Sequence, residues 1–400
     1  MKRTAPTPAA ALIGLPGFKR TVPILLAAGM AAVTLSGCQG PAAAAGPDCQ
    51  TPSALSVVIA PHANASPALP AEVACLARKA IENGHPISIV RDDGAPAAVL
   101  APHVYQIGKA TAQDDINGAK ISFARTAASV EATADGANDL AALDLAGRLT
   151  NGAPDAVIAV IVPGLSDQAP LDFTVPSLAS ADPKEVTSKL QDFKSVPALK
   201  DRSVKWYGFG DAHGTQQPLP APQRQNYQDI WNSVLAAAGA HAEFLPGTTG
   251  TTPKANGHTV RPVPPAQQTP VDFPRAGTRT FDNASSLGFL PDRTDFRDPT
   301  AAAAAAKQIA DWLTANPSGS ITVTGTTANW GTPDSQAQLS LARAQTVCRA
   351  AQDAGADLSR LHPQGLGHNF PGYVQDNLPD GTLDPAKAEA NRAVILTFVP

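Results

Sequence analysis

The chain lacks most of what would mark an enzyme, a nucleic-acid binder or a metalloprotein. Its 30 Lys and Arg are outnumbered by 34 Asp and Glu, giving a formal net charge of −4. No basic stripe occurs anywhere along it, and a polyanion partner needs one, so nucleic acid is excluded. Charged residues are only 16% of the chain, below the roughly 25% of an average domain, while Ala and Pro abound. That is a trait of composition and linkers, not of chemistry. Cysteines number 4, with neither a Cys-x-x-Cys nor a His-x-x-x-His pair, so the spacing of a structural zinc site is missing. His62, His85, His103 and His241 are scattered without ligand spacing.

Catalytic signatures are missing too. Gly164-Leu165-Ser166-Asp167 lacks the second glycine of a nucleophile elbow. Gly208 to Gly214 follows a strand-like run as a dinucleotide loop would. Its glycine spacing is wrong, however, and the prolines between Thr215 and Pro222 replace the helix such a loop opens. No nucleophile–base pair shows. A non-catalytic protein without cofactor is expected.

What is present begins at the N-terminus. Lys2, Arg3, Lys19 and Arg20 flank an apolar or small run from Thr21 to Leu35, followed by Leu35-Ser36-Gly37-Cys38. Residues 1–37 have the layout of a secretory signal. The run is short for a bilayer, which takes about 20 residues, and no other segment could span one. The end of the signal resembles the lipobox of bacterial lipoprotein precursors. That resemblance implies a diacylglyceryl thioether on Cys38, acylation of its new N-terminus, and an exported protein anchored in a membrane by lipid. Residues 38–52 then read as a flexible tether. Cys49 and Cys75 are near enough in sequence to clip this segment to the first helix, and export favours oxidation. Cys348 is expected to be a small buried hydrophobe.

An α/β domain is expected over 53–247. Strand-like runs at 55–59, 87–90, 120–125, 156–162, 204–209 and 241–245 alternate with helical patterns at 71–83, 139–149 and 225–238. Such alternation implies a doubly wound, largely parallel sheet. The strand Val57–Ile59, its small-residue loop and the following helix resemble the start of a von Willebrand A-type domain. Those domains hold a divalent metal with an Asp-x-Ser-x-Ser loop. Here the loop would be His62-Ala63-Asn64-Ala65-Ser66, whose neutral histidine removes the carboxylate a hard cation needs; no metal is expected. Residues 248–277 are rich in proline and small polar residues and read as a linker, with an extended edge segment at Val260 to Val263.

The last segment, 278–400, offers a helix at 301–315, strands at 320–324, 361–366 and 394–398, and a helix after Gly331-Thr332-Pro333-Asp334. On that helix Leu339, Ala342, Val347 and Ala351 recur with helical spacing, and Arg343 falls among them. It reads either as a boundary arginine whose stem packs while its head reaches water, or as a guanidinium held at a cleft rim to fork a carboxylate.

The phrases FLPDRTDFRDP, ITVTGTTANWG, LSLARAQTV, GLGHNFP and AEANRAVIL together closely resemble the OmpA-like C-terminal domain, an α+β fold of β-α-β-α-β order. The resemblance implies non-covalent binding of peptidoglycan through the diaminopimelate of its stem peptide, with Arg343, Arg392, Asn391, Thr327 and Gln336 at the site. It departs at two places. Ala328 stands where the family has an aspartate, and Ala393 replaces the second tail arginine. Asp334 or Asp292 could stand in for the aspartate only if the fold brings it close. The expected function is a lipid-anchored envelope protein that ties membrane to cell wall, outside the cell membrane or in the periplasm. The alternative is an envelope protein–protein interaction module whose cleft no longer holds peptidoglycan.

Overall fold

The computed structural model describes residues 49–65, 68–150, 152–211, 213–248, 256–266 and 273–400. The expected signal peptide, the lipidation site Cys38 and most of the tether lie outside the described residues, as do parts of the expected linker.

The first sheet grows from β1 (Leu55–Ile59), which is buried along its whole length because it sits mid-sheet with a neighbour on each side. It is joined by β2 (Ile87–Arg91), β3 (Ala97–His103) and β4 (Val157–Ile161). A short ribbon, β5 (Asp167–Gln168) with β6 (Leu171–Asp172), precedes β7 (Ser203–Tyr207) and β8 (His241–Leu245). The six-stranded order is β3-β2-β1-β4-β7-β8, parallel except for the β2–β3 pair. Alternate residues face opposite sides. Val57 and Ile59 pack under α1 (Ala71–Glu82) and α2 (Ala112–Ala128). Val58, Val160 and Trp206 pack under α3 (Asp139–Leu149) and α5 (Ala221–Ala237), with α4 (Pro183–Asp192) beside α5. The sheet is therefore doubly wound and largely parallel. Trp206 and Trp231 are fully buried, and each indole N–H finds a backbone carbonyl, Val162 at 2.9 Å and Gly164 at 3.0 Å.

Cys49 and Cys75 are joined in a disulfide, which fastens the start of the described chain to α1. Cys348 is a free, buried thiol whose pKa burial pushes up to about 11.

Two expectations are corrected. Residues 120–125 are not a strand but the middle of α2. The alternation in KISFAR misleads, because the burial that counts is helical: Ala119, Phe123 and Ala127 face the core, while Ile121 is exposed. Val260 to Val263 pair with no strand. The segment is held instead by side chains. Gln216 receives the Val263 N–H at 2.8 Å and donates to the Val263 carbonyl at 3.0 Å, and Val263 itself is buried in the first core.

The second sheet contains β9 (Gly277–Asp282), which has no counterpart among the sequence expectations. After it come α6 (Pro299–Ala315), β10 (Ser320–Gly325), α7 (Pro333–Asp353), β11 (Leu361–Gly365), α8 (Pro385–Asn391) and β12 (Ala393–Val399). The order is β11-β10-β12-β9, with β10 and β11 parallel and the other pairs antiparallel. Helices α6 and α7 close its core through Ile309, Leu313, Ala344 and Val347. Thr332 caps α7, accepting from the Ser335 N–H while Ser335 Oγ accepts from the Thr332 N–H. The helix lies so close to the sheet that a Cβ on Gly325 would stand 2.0 Å from the Ser340 carbonyl oxygen. That approach sets the depth of every side chain on this face of α7, Arg343 included.

Candidate functional site

The described residues pack as one compact unit, and a cleft of about 310 Å³ opens between the loop before α4 and the turn after β10. Its floor is the turn after β10. Thr326 Oγ donates to the Asn391 carbonyl at 2.7 Å, the Thr327 N–H to the Gly367 carbonyl at 2.9 Å, and the Asn329 N–H to the Asp376 carboxylate at 3.0 Å. The turn is thus fixed from three sides. Thr327, Ala328, Gln336, Arg343 and Arg392 all line the cleft.

Arg343 is 5% exposed. Its Nε donates to the Arg293 carbonyl at 3.0 Å and one terminal nitrogen to the Leu290 carbonyl at 3.2 Å, with the guanidinium 5.3 Å from the centre of the Phe289 ring. These contacts use backbone and ring, and no carboxylate pairs with it among the described residues. Burial first, then the like charge of Arg392, draws its pKa down to about 10. A buried cation without a counter-ion is costly, and this one, which lines the cleft, makes only two hydrogen bonds among the described residues. Of the two readings of Arg343, the boundary arginine with its head in water is set aside.

Arg392 is different. It binds Glu185 of α4 and lies 3.3 Å from Glu389. Burial pulls its pKa down, yet the two carboxylates outweigh that and hold it above the usual value. Glu185 pays for its side of the pair: burial lifts it to about 6 despite Arg392. Glu389, wholly buried, is raised for the same reason. The Arg392 guanidinium is therefore already committed.

Asn391 does not line the cleft. It is fully buried, and it fastens the 374–376 turn by donating to the Val374 carbonyl at 2.6 Å and to Asp376 at 2.9 Å. Gln336 reaches Asn329 and accepts from His368. Thr327 Oγ is buried with no hydrogen-bond partner. Ala328 packs against Leu383 and Ala388, so the position of the family aspartate is an apolar contact. Of the two acids considered as substitutes, Asp292 lines the cleft, but exposed at its rim, and Asp334 does not line it.

Sequence reasoning missed the far wall, which comes from the first domain. Ser180 and Asp182 line the cleft just before α4. Arg297 holds that loop, donating to Asn226 Oδ1 at 2.7 Å and to the Ser180 carbonyl at 2.8 Å. The local signal, Asp182 before Pro183, announces a helix start but not a site. A second groove of about 360 Å³ continues past Asp182 and the exposed Trp330 along α4.

His62 is buried with Nε2 2.9 Å from the Gly136 carbonyl, and burial lowers its pKa. No group of three or more His, Cys, Asp or Glu is placed to hold a metal among the described residues. Nor is any described helix long and apolar enough to cross a membrane.

Residues 288–379 match the OmpA family. Solved structures similar to this chain include the peptidoglycan-associated lipoprotein from Burkholderia pseudomallei, at 23% identity, 30% of this chain, 90% of that one and a TM-score of 0.24. The cell wall anchor of the T6SS from Pseudomonas aeruginosa aligns at 24% identity, covering 31% of this chain and 81% of that one, with a TM-score of 0.24. The periplasmic domain of Helicobacter pylori MotB aligns at 17% identity over 32% of this chain and 85% of that one, with a TM-score of 0.25. No curated protein matches the chain.

Proposed function

We propose, from the premise that residues 288–379 are an OmpA-family domain, that the chain is a non-catalytic cell-envelope protein. In this reading the cleft binds peptidoglycan through the amino-acid end of a stem peptide, and a lipid on Cys38 ties the other end to a membrane. The observation that carries the reading is Arg343: buried, facing the cleft, and paired with no acid among the described residues. A bound carboxylate would supply the missing counter-ion and use the donors left over, a geometry for which Arg is suited. Arg392, held by Glu185 and Glu389, serves in this reading to shape the wall and not to grip ligand.

The test is co-sedimentation of the purified chain with insoluble peptidoglycan containing diaminopimelate. The parent is expected in the pellet and Arg343→Ala in the supernatant. A parent that stays in solution, or a variant that pellets equally, would refute the reading. The apolar contact at Ala328 favours the second reading, a protein-interaction module, and failure of the parent to pellet would turn the case that way.

A further inference from the structure

We propose that Asp182, contributed by the first domain, is a specificity-determining residue of the cleft: its carboxylate receives the ammonium group of the amino acid whose carboxylate Arg343 holds. The binding site is then composite, and its ligand is a zwitterion. The inference rests on the reading of Arg343 above and extends it to the other half of the ligand.

The argument is one of charge and position. Two acids besides Asp182 line the cleft, Asp292 and Glu389. Glu389 faces Arg392 through one oxygen at 3.3 Å, and its charge is met there, although its other oxygen is buried without a hydrogen-bond partner. Asp292 is exposed, where water screens it. Asp182 is 8% exposed and enters no ion pair among the described residues. One of its oxygens caps α4 by accepting the Lys184 N–H at 2.8 Å, which fixes the side chain. The chain on both sides of it is clasped to the second domain, Ser180 by Arg297 at 2.8 Å and Glu185 by Arg392. Asp182 is thereby presented to the cleft from a rigid support. Thr327 Oγ, 6% exposed and without a partner, lines the same space and marks it as one with a polar occupant to receive. An unpaired guanidinium and an unpaired carboxylate across one small cleft suit a molecule that carries both opposite charges.

The experiment uses the full chain in detergent and two probes. One is N-acetyl-L-Ala-γ-D-Glu-meso-diaminopimelate, whose one free amine is on the diaminopimelate; the other is the same tripeptide with that amine acetylated as well. Calorimetric titration of the parent should show the amine probe binding at least roughly 30-fold tighter, the scale expected when one partner of a buried charge pair is removed. Asp182→Asn should bind both probes alike. Asn caps a helix as well as Asp does, so α4 is kept and an unchanged melting temperature checks it. A parent that binds both probes equally, while Arg343→Ala binds neither, would overturn this inference and leave the proposed function standing. So would an Asp182→Asn variant that still prefers the amine. A parent that binds neither probe takes down both.

Discussion

Arg343→Met separates a ligand-binding arginine from a structural one. Burial and the like charge of Arg392 draw the guanidinium's pKa down to about 10, so keeping the charge in place costs on the order of 3 kcal/mol at 1.36 kcal/mol per unit. Against this stand two hydrogen bonds from a charged donor to backbone carbonyls, worth about 1.5 kcal/mol each, and the Phe289 contact, worth about 1 kcal/mol. The two sides nearly cancel. Methionine fills a comparable volume without the charge, so chemical denaturation should find the variant within about 1.5 kcal/mol of the parent. Ligand should separate them. The tripeptide at a hundred times its Kd stabilises a binding protein by about 2.7 kcal/mol, and the variant should gain nothing. A variant that loses 3 kcal/mol or more without ligand, or is still protected by it, would mean that Arg343 serves the fold.

Three further outcomes are expected. Replacing Cys49 and Cys75 by Ser opens a loop with a sequence separation of 26 and should cost about 3.5 kcal/mol in the chain-entropy model; equal denaturation midpoints with and without the bond would contradict it. Glu185, lifted by burial to about 6, holds its proton more tightly folded than unfolded. Its contribution to stability is full below about pH 4.5 and is lost as pH rises through 6, a change of about 2 kcal/mol. Glu185→Gln should flatten the stability curve across that window, and an unchanged slope would count against the assignment. Cys38→Ala should leave the protein in the soluble fraction or as an unprocessed precursor; full recovery of a matured variant in the membrane fraction would end the lipid-anchor proposal.

The second domain was the more legible half. Arg343, Thr327 and Gln336 stand at motif positions that a sequence states outright, and the spacing from Leu339 to Ala351 can hardly be anything but a helix face. The first domain's strands at 55–59 and 156–162 were legible because apolar runs bounded by turns leave few alternatives. Residues 120–125 were not, because six residues of alternation can be cut from a helix whose buried stripe is only visible over four turns. The cleft's far wall was beyond reach for another reason. Glu185 and Arg392 are 207 residues apart, and neither charge carries any mark of the other. Asn391 shows the reverse: a motif residue whose side chain the fold spends on holding a turn.

The clasp at Arg392 and Arg297 has a bearing on how the molecule comes apart. Both cations are largely buried at the junction, and each binds groups of the first domain. Opening the junction would strand Arg297 and leave Arg392 with Glu389 alone while both domains remained folded. Such a half-open state is penalised from both sides, so heating should produce one calorimetric transition shared by the two domains. For the same reason, a ligand seated against Arg343 should slow amide exchange in α4, a helix that belongs to the other sheet.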